Sequence, residues 1–463
     1  MTVEEKIKGR KIGIIGMARS GIAAALLADS FAGHPFVSDS RDQSHLTSEV
    51  TRLQQANIPF ETGGHSDKLL KCDYLVTSPG VPLTADIIKN ANKRGIPVFS
   101  EIEFASWACK GKVIAITGSN GKTTTTTLMG EIFASAGLKT FVGGNIGLPF
   151  SEIAGQVPKD GYAIIEVSNF QLETIADFKP DTAMILNLTP DHLDRHGTFE
   201  NYKKAKYRIT ENQTKQNCLV LNLDDPEIDL VTMKSKAELK YFTLNDDTAA
   251  NAYVRDNQMI VRNFGEHQVI GIDKIMIPGP HNLQNALAAA VVATHYGIKP
   301  EVIATVLQKF PGVEHRIEQV TKVAGINFVN DSKATNVDSV CFAVRSVEKG
   351  IYLIAGGRDK GGDFTRIAEY GKGKIKGIIA IGEAKQIIFD HLGQSFPVQF
   401  SDSLENAVNT AFEMAIPGDT VLLSPGCASF DMFDNFEQRG RVFKEAVQQL
   451  KKSKNGNESL AQK

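Results

Sequence analysis

Short apolar runs bounded by glycine-rich or polar turns alternate along this chain with longer segments whose apolar residues recur every three or four positions. Runs of the first kind, rich in Val and Ile, are typical of buried parallel strands, and segments of the second kind are typical of the helices that cover a sheet. The pattern therefore predicts an α/β fold. The predicted strands cover residues 11–16, 35–38, 74–76, 113–117, 163–166, 182–188, 218–221, 326–329, 352–355, 377–381 and 420–423.

Two segments interrupt this alternation and divide the chain. Residues 106–112 lose their periodicity and gather small and basic side chains, and residues 311–318 form a second apparent hinge. At 463 residues the chain exceeds the size at which one hydrophobic core stops growing. We therefore expect three domains, at residues 1–110, 111–311 and 312–463, with a small meander at about 236–271 on the flank of the second.

The strongest chemical signal is the segment VIAITGSNGKTTTTT at residues 113–127, where a predicted strand runs into a tight loop and then a helix. Glycines let backbone N–H groups turn inward, a helix N-terminus adds partial positive charge, and Lys and Thr side chains can reach terminal phosphates and Mg²⁺. Ile116 stands where the strict motif has glycine, so the loop is a shortened version. An ordinary strand-to-helix turn is the alternative, but Gly-Lys-Thr directly after a strand favours phosphate binding. The loop comprises Gly118, Ser119, Asn120, Gly121, Lys122, Thr123 and Thr124.

The first domain opens with a strand, a helix and a second strand, which resembles the start of a Rossmann domain. Ala18 occupies the position of the glycine that admits a pyrophosphate, which argues against NAD. Asp39 closes the second strand and can accept hydrogen bonds from a ribose or a base, with Ser20, Ser40 and Arg41 nearby. A capping aspartate at a strand end is an equally good interpretation.

Candidate metal and substrate residues follow the strands of the second domain. Glu166 ends a strand where a carboxylate beside a phosphate loop can bind Mg²⁺. Asn145 lies in a glycine-rich bend that suits close approach to a ligand. His192 lies in the loop TPDHLDRHG, and metal, phosphate and general-base roles are all open for it. The amide of Asn285, near the start of an alanine-rich helix, is placed to recognise a base.

The segment YKKAKYR at residues 202–208 has the composition of a solvated basic helical face.

In the third domain, polar loops at residues 330–336, 356–362 and 424–429 follow predicted strands, and ligands of parallel α/β domains bind where strands end. Cys427 has no histidine beside it in the sequence, so we interpret it as a small packing residue rather than a nucleophile.

Composition limits the partners. The 51 Lys and Arg nearly balance the 53 Asp and Glu, which gives no electrostatic footprint for nucleic acid. Five cysteines without a C-x-x-C pair disfavour disulfides and structural zinc, and fit a reducing cytoplasm. The N-terminus lacks the apolar segment of a signal peptide, and no run of 18 apolar residues predicts a membrane span. We expect a cytoplasmic monomer that acts on small molecules.

Taken together, TGSNGKTT, EVSNFQLE, NLTPDHLDRHG, GPHNLQNALAA, HRIE and NDSKATN resemble the Mur ligases of peptidoglycan synthesis, over nearly the whole chain. SPGVP, NDSKATN and LLSPGCASFDMF resemble the D-glutamate-adding branch of that family. The resemblance implies a Rossmann-like N-terminal domain for the UDP-sugar, a central P-loop-type domain for ATP, and a Rossmann-like C-terminal domain for the amino acid. It also implies that ATP activates UDP-N-acetylmuramoyl-L-alanine as an acyl phosphate, which D-glutamate then attacks.

The resemblance assigns further residues. Asn285, Arg316 and Asp331 complete the ATP site at the base, phosphate and ribose. Lys206 aligns with a lysine that Mur ligases carry as a carbamate, so that Lys122, His192 and Lys206 form the catalytic set. Mg²⁺, as two ions, is held by Thr123, Glu166, His192 and the carbamate on Lys206. The remaining assignments are Ser20, Asp39, Ser40, Arg41, Gly80, Asn145 and Ser168 for the UDP-sugar, and Thr335, Lys360, Ser429 and Phe436 for D-glutamate.

Two other functions stay open at this point. A related ligase such as folylpolyglutamate synthase is disfavoured by NDSKATN and SPGVP. A regulatory module that hydrolyses ATP without ligation would differ in needing neither an amino acid nor a UDP-sugar.

Overall fold

A computed structural model describes residues 3–348, 350–359 and 361–461 of the chain. The described residues separate into two compact units, which meet in the sequence between Phe310 and Pro311. The first unit contains two β-sheets and the second contains one. Among the described residues, no helix is both long and apolar enough to cross a membrane.

The strands in chain order are β1 Lys11–Ile15, β2 His34–Ser38, β3 Phe60–Glu61, β4 Tyr74–Thr77, β5 Val98–Ser100, β6 Lys112–Thr117, β7 Thr140–Gly144, β8 Tyr162–Glu166, β9 Thr182–Ile185, β10 Cys218–Asn222, β11 Glu238–Phe242, β12 Ala252–Arg255, β13 Gln258–Arg262, β14 Glu266–Gly271, β15 Glu318–Val323, β16 Ile326–Asn330, β17 Ile351–Gly356, β18 Ile375–Ile381, β19 Val398–Phe400 and β20 Thr420–Leu423.

The helices are α1 Val3–Ile7, α2 Arg19–Ser30, α3 Thr47–Gln55, α4 Asp86–Lys93, α5 Glu101–Ala108, α6 Lys122–Ser135, α7 Phe150–Ile153, α8 Asn169–Leu172, α9 Leu193–His196, α10 Phe199–Tyr207, α11 Leu230–Met233, α12 Pro280–His295, α13 Pro300–Leu307, α14 Val337–Ser346, α15 Thr365–Gly371, α16 Lys385–Leu392, α17 Leu404–Met414 and α18 Phe436–Ala461.

The first sheet has the order β3-β2-β1-β4-β5 and is parallel throughout. The predicted strand–helix–strand opening is confirmed. Because β2 and β4 lie on opposite sides of β1, the strand order reverses there, and ligands of parallel α/β sheets bind at the carboxyl ends of strands at such a reversal. Gly16 follows β1 with φ +95°, and a Cβ on it would lie 2.9 Å from the hydroxyl of Ser78 after β4.

The second sheet has the order β14-β13-β12-β11-β10-β9-β6-β8-β7. The strand predicted at 182–188 ends at Ile185, and Asn187 instead accepts hydrogen bonds from the loop after β6, through its carbonyl from Ser119 and through its side chain from Asn120. The meander predicted at about 236–271 is wrong for its first strand, since β11 lies parallel to β10 and β12 parallel to β11. Antiparallel pairing begins only between β12 and β13.

The cores of these first two sheets are continuous. One cluster of buried side chains includes Ile12 and Phe104 beside the first sheet and Phe150 and Leu219 beside the second. The carboxylate of Glu103, in α5, accepts hydrogen bonds from the consecutive backbone N–H groups of residues 176–178, at 2.7–3.1 Å. Burial of charge is tolerated here because each oxygen has several donors.

The third sheet, in the second unit, has the order β15-β16-β20-β17-β18-β19 and is parallel except for β15. Adjacent residues of β17, Leu353 and Ile354, belong to two different core clusters, as expected for a strand covered on both faces. The predicted parallel α/β character of this region is confirmed.

Candidate active site

The loop between β6 and α6 is a backbone cradle at a helix N-terminus. Gly118 has φ +150° and Gly121 has φ +83°, a left-handed conformation at the N-cap of α6. A Cβ on Gly121 would lie 2.4 Å from Oδ1 of Asn285 in α12, so glycine is needed for both its backbone angle and its space. The first N–H groups of α6 have no carbonyl partners within the helix, which makes this end suited to an anion.

The segment that follows β9 holds this loop in place. The backbone N–H of Asn120 donates to Oδ1 of Asn187 at 2.8 Å, and the Asn187 amide donates back to the Asn120 carbonyl at 3.1 Å. The buried hydroxyl of Ser119 lies 2.9 Å from the Tyr202 hydroxyl and donates to the carbonyl of Thr189 at 2.9 Å. The Ser119 hydroxyl and the Asn120 backbone therefore belong to a network that fixes the cradle.

Lys122 curls back over the loop that it follows. Its ammonium donates to the carbonyls of Gly118, at 2.8 Å, and Ser119, at 2.9 Å. The next residue, Thr123, donates its hydroxyl hydrogen to Oε2 of Glu166 at 2.8 Å. Thr124 is buried.

Glu166, at the end of β8, is 2 % exposed and has partners on both oxygens. Oε1 accepts from the amide of Asn145 at 3.0 Å, and Oε2 accepts from Thr123. The structure thus brings together the predicted metal residues Thr123 and Glu166, and it places Asn145, predicted as a UDP-sugar residue, against the same carboxylate. A threonine hydroxyl and a carboxylate are hard oxygen donors of the kind that Mg²⁺ prefers.

His192 lies at the start of α9 in a left-handed conformation with φ +52°. Its Nε2 is 3.7 Å from Oδ2 of Asp191, and its ring meets the Phe170 ring edge-to-face at 4.9 Å. The sequence had left metal, phosphate and base roles open for this histidine. Its half-buried imidazole beside a carboxylate is compatible with metal binding.

Lys206 does not belong to a solvated helical face. It is 1 % exposed, its ammonium donates to the Gly118 carbonyl at 2.9 Å, and it lies 4.6 Å from the centre of the Tyr202 ring. The solvated-face interpretation is therefore wrong for this residue, because α10 turns it toward the phosphate loop. Burial, and then the nearby cation of Lys122, lower the pKa of Lys206 well below its ordinary value.

Among the described residues, no three His, Cys, Asp or Glu side chains come together as a metal site. The donors predicted from the sequence around the cradle are the Thr123 hydroxyl, the Glu166 carboxylate and the His192 imidazole, and the Asp191 carboxylate lies beside that imidazole. A divalent cation there would require further negative charge from the substrate phosphates or from a modified side chain.

Asp39 and Arg41, two of the predicted UDP-sugar residues, are paired at the end of β2. The Asp39 carboxylate accepts from the backbone N–H of Met17 at 2.7 Å and from two nitrogens of the Arg41 guanidinium at 3.0 and 2.8 Å. Although burial raises the pKa of Asp39, the bonds from Arg41 and Met17 hold it below its ordinary value. Asp39 thus caps backbone N–H groups at the end of the strand, as the capping interpretation expects. The exposed guanidinium of Arg41 is still accessible to a ligand.

The other predicted UDP-sugar residues vary in exposure. Ser20 is half-buried, whereas Ser40 and Gly80 are exposed. Ser168 caps α8 in a reciprocal pair of bonds with Gln171. Ser78 lies in the loop after β4, and its buried hydroxyl has no partner among the described residues and faces the turn after β1.

In the second unit, the predicted nucleotide residue Asp331 is fully buried at the end of β16. Oδ2 accepts from the hydroxyl of Ser424 at 2.8 Å, and Oδ1 accepts from the backbone N–H of Ile317 at 3.2 Å. Burial raises the pKa of Asp331 to about 6. Arg316 lies with its guanidinium 5.5 Å from the centre of the Phe342 ring.

Two of the residues predicted to bind the amino acid follow neighbouring strands of the third sheet. Thr335 is half-buried after β16, and Ser429, after β20, has a buried hydroxyl with no partner in the part of the chain that the structure describes. Phe436 begins α18, and its carbonyl accepts from the Ser332 hydroxyl at 2.8 Å. Lys360 lies outside the described residues.

The sequence reading also missed Arg439, a fully buried arginine in α18. Its guanidinium donates to the carbonyls of Ser332, at 2.7 Å, and Cys427, at 3.2 Å. It thereby joins the loop that carries Thr335 to the loop that carries Ser429. An arginine within an amphipathic helix gives no sequence signal for such a position.

Comparison with known proteins accounts for this arrangement. Models of the MurD N-terminal domain, the Mur ligase middle domain and the Mur ligase glutamate ligase domain match residues 11–87, 116–293 and 315–427. The fold is similar to that of UDP-N-acetylmuramate-alanine ligase MurC from Thermotoga maritima, with a TM-score of 0.62 and 20% identity, over 96% of this chain and 100% of that one.

Curated relatives establish the family. A protein from Thermoanaerobacter sp. (strain X514) is 43% identical over 96% of this chain and 100% of its own length, and one from Koribacter versatilis (strain Ellin345) is 41% identical over 96% and 98%. The chain therefore belongs to the Mur ligase family. Both of these relatives carry the name UDP-N-acetylmuramoylalanine–D-glutamate ligase.

Proposed function

We propose that this chain uses ATP to join D-glutamate to the carboxylate of UDP-N-acetylmuramoyl-L-alanine in peptidoglycan synthesis. The observation that carries this substrate assignment is the 41–43% identity, over 96% of the chain, to ligases of that name. The cradle after β6 and the Thr123–Glu166 pair support the ATP-dependent chemistry.

The cradle is the proposed phosphate site. Backbone N–H groups at the start of α6 bind the phosphates of ATP, and Lys122 leaves its two loop carbonyls to neutralise the transferring group. Asn285 borders Gly121 and is proposed to meet the base. Arg316 and Asp331 are proposed to meet the phosphates and the ribose.

Thr123, Glu166 and His192 are the proposed Mg²⁺ residues. The hydroxyl and carboxylate already lie within 2.8 Å of each other, and a hydroxyl, a carboxylate and an imidazole fit a hard cation that also binds phosphate oxygens. When bound, Mg²⁺ would neutralise charge on the transferring phosphoryl group. We infer two ions, whose charge the carboxylate of Glu166 alone does not balance.

A carbamate on Lys206 would supply the missing charge. The amine must be neutral to add CO₂ and release a proton, and burial favours the neutral form. The carbamate nitrogen retains one N–H, so the bond to the Gly118 carbonyl, 2.9 Å long, can persist after modification. The product is an anion where a protonated lysine would repel a cation.

The reaction then needs little covalent chemistry from the protein. The substrate carboxylate attacks the γ-phosphorus, ADP leaves, and the acyl phosphate forms. The amine of D-glutamate attacks the acyl carbon, and inorganic phosphate leaves as the amide bond forms. The cradle, Lys122 and the fixed loop at residues 187–192 orient the reactants, which is where most of the rate enhancement should arise.

The two substrates occupy separate proposed sites. Ser20, Asp39, Ser40, Arg41, Gly80, Asn145 and Ser168 are proposed to bind the UDP-sugar. Thr335, Lys360, Ser429 and Phe436 are proposed to bind D-glutamate. The buried Ser429 hydroxyl, which has no partner among the described residues, is a suitable donor for it. We also infer a cytoplasmic monomer.

A phosphate-release assay with the purified protein tests the proposal. With ATP, Mg²⁺ and UDP-N-acetylmuramoyl-L-alanine, D-glutamate should start turnover, while L-glutamate, meso-diaminopimelate and L-lysine should not. ATP hydrolysis that needs no amino acid would support the regulatory alternative instead. Turnover with a folate and glutamate would support the folylpolyglutamate alternative.

A further inference from the structure

A small polar cluster lies beside Asp39 and has no role in the sites described so far. Ser38, the last residue of β2, is fully buried. Its hydroxyl oxygen lies 2.8 Å from Oε1 of Glu61, 3.2 Å from the carbonyl of Gly64 and 2.7 Å from Nδ1 of His65. The cluster forms because β2 and β3 are parallel and place Ser38 opposite Glu61.

The cluster fixes which ring nitrogen of His65 carries hydrogen. Glu61 and the Gly64 carbonyl can only accept, so the single Ser38 hydrogen goes to them. The Glu61 carboxylate also accepts from the N–H and the hydroxyl of Ser66, at 2.8 and 2.6 Å, which holds its pKa below its ordinary value although burial raises it. Nδ1 of His65 must therefore donate to Ser38, and the lone pair of the neutral ring lies on Nε2.

Backbone hydrogen bonds connect the segment that carries His65 to the proposed UDP-sugar site. The N–H of Gly64 donates to the carbonyl of Asp39 at 3.3 Å, and the N–H of Gly63 donates to the carbonyl of Arg41 at 2.8 Å. The half-buried imidazole thus lies at the carboxyl end of β2, where ligands of such sheets bind. No partner for Nε2 is found among the described residues.

We propose that His65 is a specificity-determining residue of the sugar-nucleotide site, whose Nε2 accepts the imide N–H of a uracil base. This rests on the proposed UDP-sugar site at Asp39. Uracil presents a donor N–H between two carbonyl acceptors, whereas cytosine has an acceptor nitrogen at the same position. A neutral imidazole with its lone pair on Nε2 favours the first and opposes the second.

The protonation state of His65 suits this role. Asp39 and Glu61 are the charged groups that act on the ring, and both favour the imidazolium. Burial outweighs them and lowers the pKa of His65 from its ordinary value. The ring is therefore neutral at pH 8 and keeps its acceptor. Acidification through this pKa adds a hydrogen to Nε2 and removes the preference for uracil.

The test compares UDP with CDP by calorimetry at pH 8 and at pH 5.5. The two nucleotides carry the same phosphates, so phosphate titration cancels in the ratio of their dissociation constants. We expect the wild type to prefer UDP by about tenfold or more at pH 8, as for an acceptor matched to a donor, and the preference to be smaller at pH 5.5. His65→Phe should abolish the preference at both pH values, and His65→Gln, which keeps an acceptor oxygen, should retain part of it.

His34→Phe is the matched control, because His34 is exposed and begins β2, at the opposite end of that strand from His65. It should leave the UDP/CDP ratio unchanged. The melting curve of His65→Phe shows whether the variant is folded. If it is not, the ¹⁵N chemical shift of Nε2 in the wild type tests the inference, since it should change on addition of UDP and not of CDP. An unchanged ratio in folded His65→Phe would overturn the inference alone. A wild type that binds neither nucleotide would overturn both the inference and the proposed sugar-nucleotide site.

Discussion

The hydroxyl of Thr123 donates to the carboxylate of Glu166 across 2.8 Å and joins the first turn of α6 to the end of β8. Thr123→Val keeps the shape of the side chain and removes this oxygen, whereas Thr123→Ser keeps the oxygen. We expect Thr123→Val to raise the Mg²⁺ concentration for half-maximal activity by about tenfold, corresponding to about 1.4 kcal/mol. Thr123→Ser should stay close to the wild type. Equal Mg²⁺ titrations for the two variants would contradict the proposed ligand.

Lys122→Ala removes the ammonium that bonds the carbonyls of Gly118 and Ser119. Because the charge is proposed to stabilise the transferring phosphoryl group, kcat should fall by about two to three orders of magnitude. The melting temperature should change little. Lys139→Ala is the control, since Lys139 is exposed and paired with Asp160 at 2.8 Å. A nearly normal kcat in Lys122→Ala would refute the assignment.

Lys206→Ala should be nearly inactive, because it removes the site of the proposed carbamate. A small added carboxylate such as acetate should restore part of the activity by occupying the vacated space. Lys204→Ala on the exposed face of α10 should be active and insensitive to acetate. In the wild type, ¹³CO₂ should give a carbamate signal that Lys206→Ala lacks. Full activity of Lys206→Ala would contradict the proposed carbamate.

Comparing Gly121→Ala with Gly137→Ala separates the effect of a steric clash with Asn285 from the effect of a strained backbone angle. Both glycines have similar φ angles, +83° and +77°, but a Cβ would meet Asn285 at 2.4 Å in the first case and nothing within 4 Å in the second. Each should lose about 1–2 kcal/mol of unfolding free energy to the left-handed conformation. Only Gly121→Ala should also weaken ATP binding. Equal nucleotide affinities in the two variants would argue against a cradle at Gly121.

Ser429→Ala should raise the KM for D-glutamate without destabilising the protein. The Ser429 hydroxyl is buried and lacks a partner among the described residues, so its removal costs the free protein no hydrogen bond. Loss of a neutral donor to a bound carboxylate costs about 1–3 kcal/mol, and Lys360→Ala should cost more because it removes a charge. The KM for UDP-N-acetylmuramoyl-L-alanine should not change in either. A Ser429→Ala protein with unaltered KM for D-glutamate would remove this residue from the site.

Local signals were enough to predict much of this molecule. The strand, glycine loop and helix at residues 112–135 follow from β-branched residues, two glycines and a helix start, all within one short segment. Asp39, Glu166 and the loops of the third sheet were found because each directly follows an apolar strand. The carboxyl ends of parallel strands meet at one edge, so a one-dimensional pattern indicates a three-dimensional site.

What the sequence did not reveal depends on distant pairing. Ser38, Glu61 and His65 come together only through the register of β2 and β3, which periodicity does not encode. The burial of Lys206 depends on the packing of α10 beside the phosphate loop, whereas its own segment reads as basic and exposed. Arg439 joins two loops that lie far from it in sequence. Lys206 is indicated as a site residue by the resemblance to the Mur ligases and not by its local sequence pattern.

The continuous core of the first unit determines how that unit unfolds. Because the first two sheets share one cluster of buried side chains and the carboxylate of Glu103 binds the backbone of residues 176–178, neither sheet can open without exposing the apolar surface of the other. Heating should melt them in a single cooperative step. A gene cut after residue 310 should yield two fragments that fold separately, whereas a cut after residue 110 should yield an N-terminal fragment that aggregates.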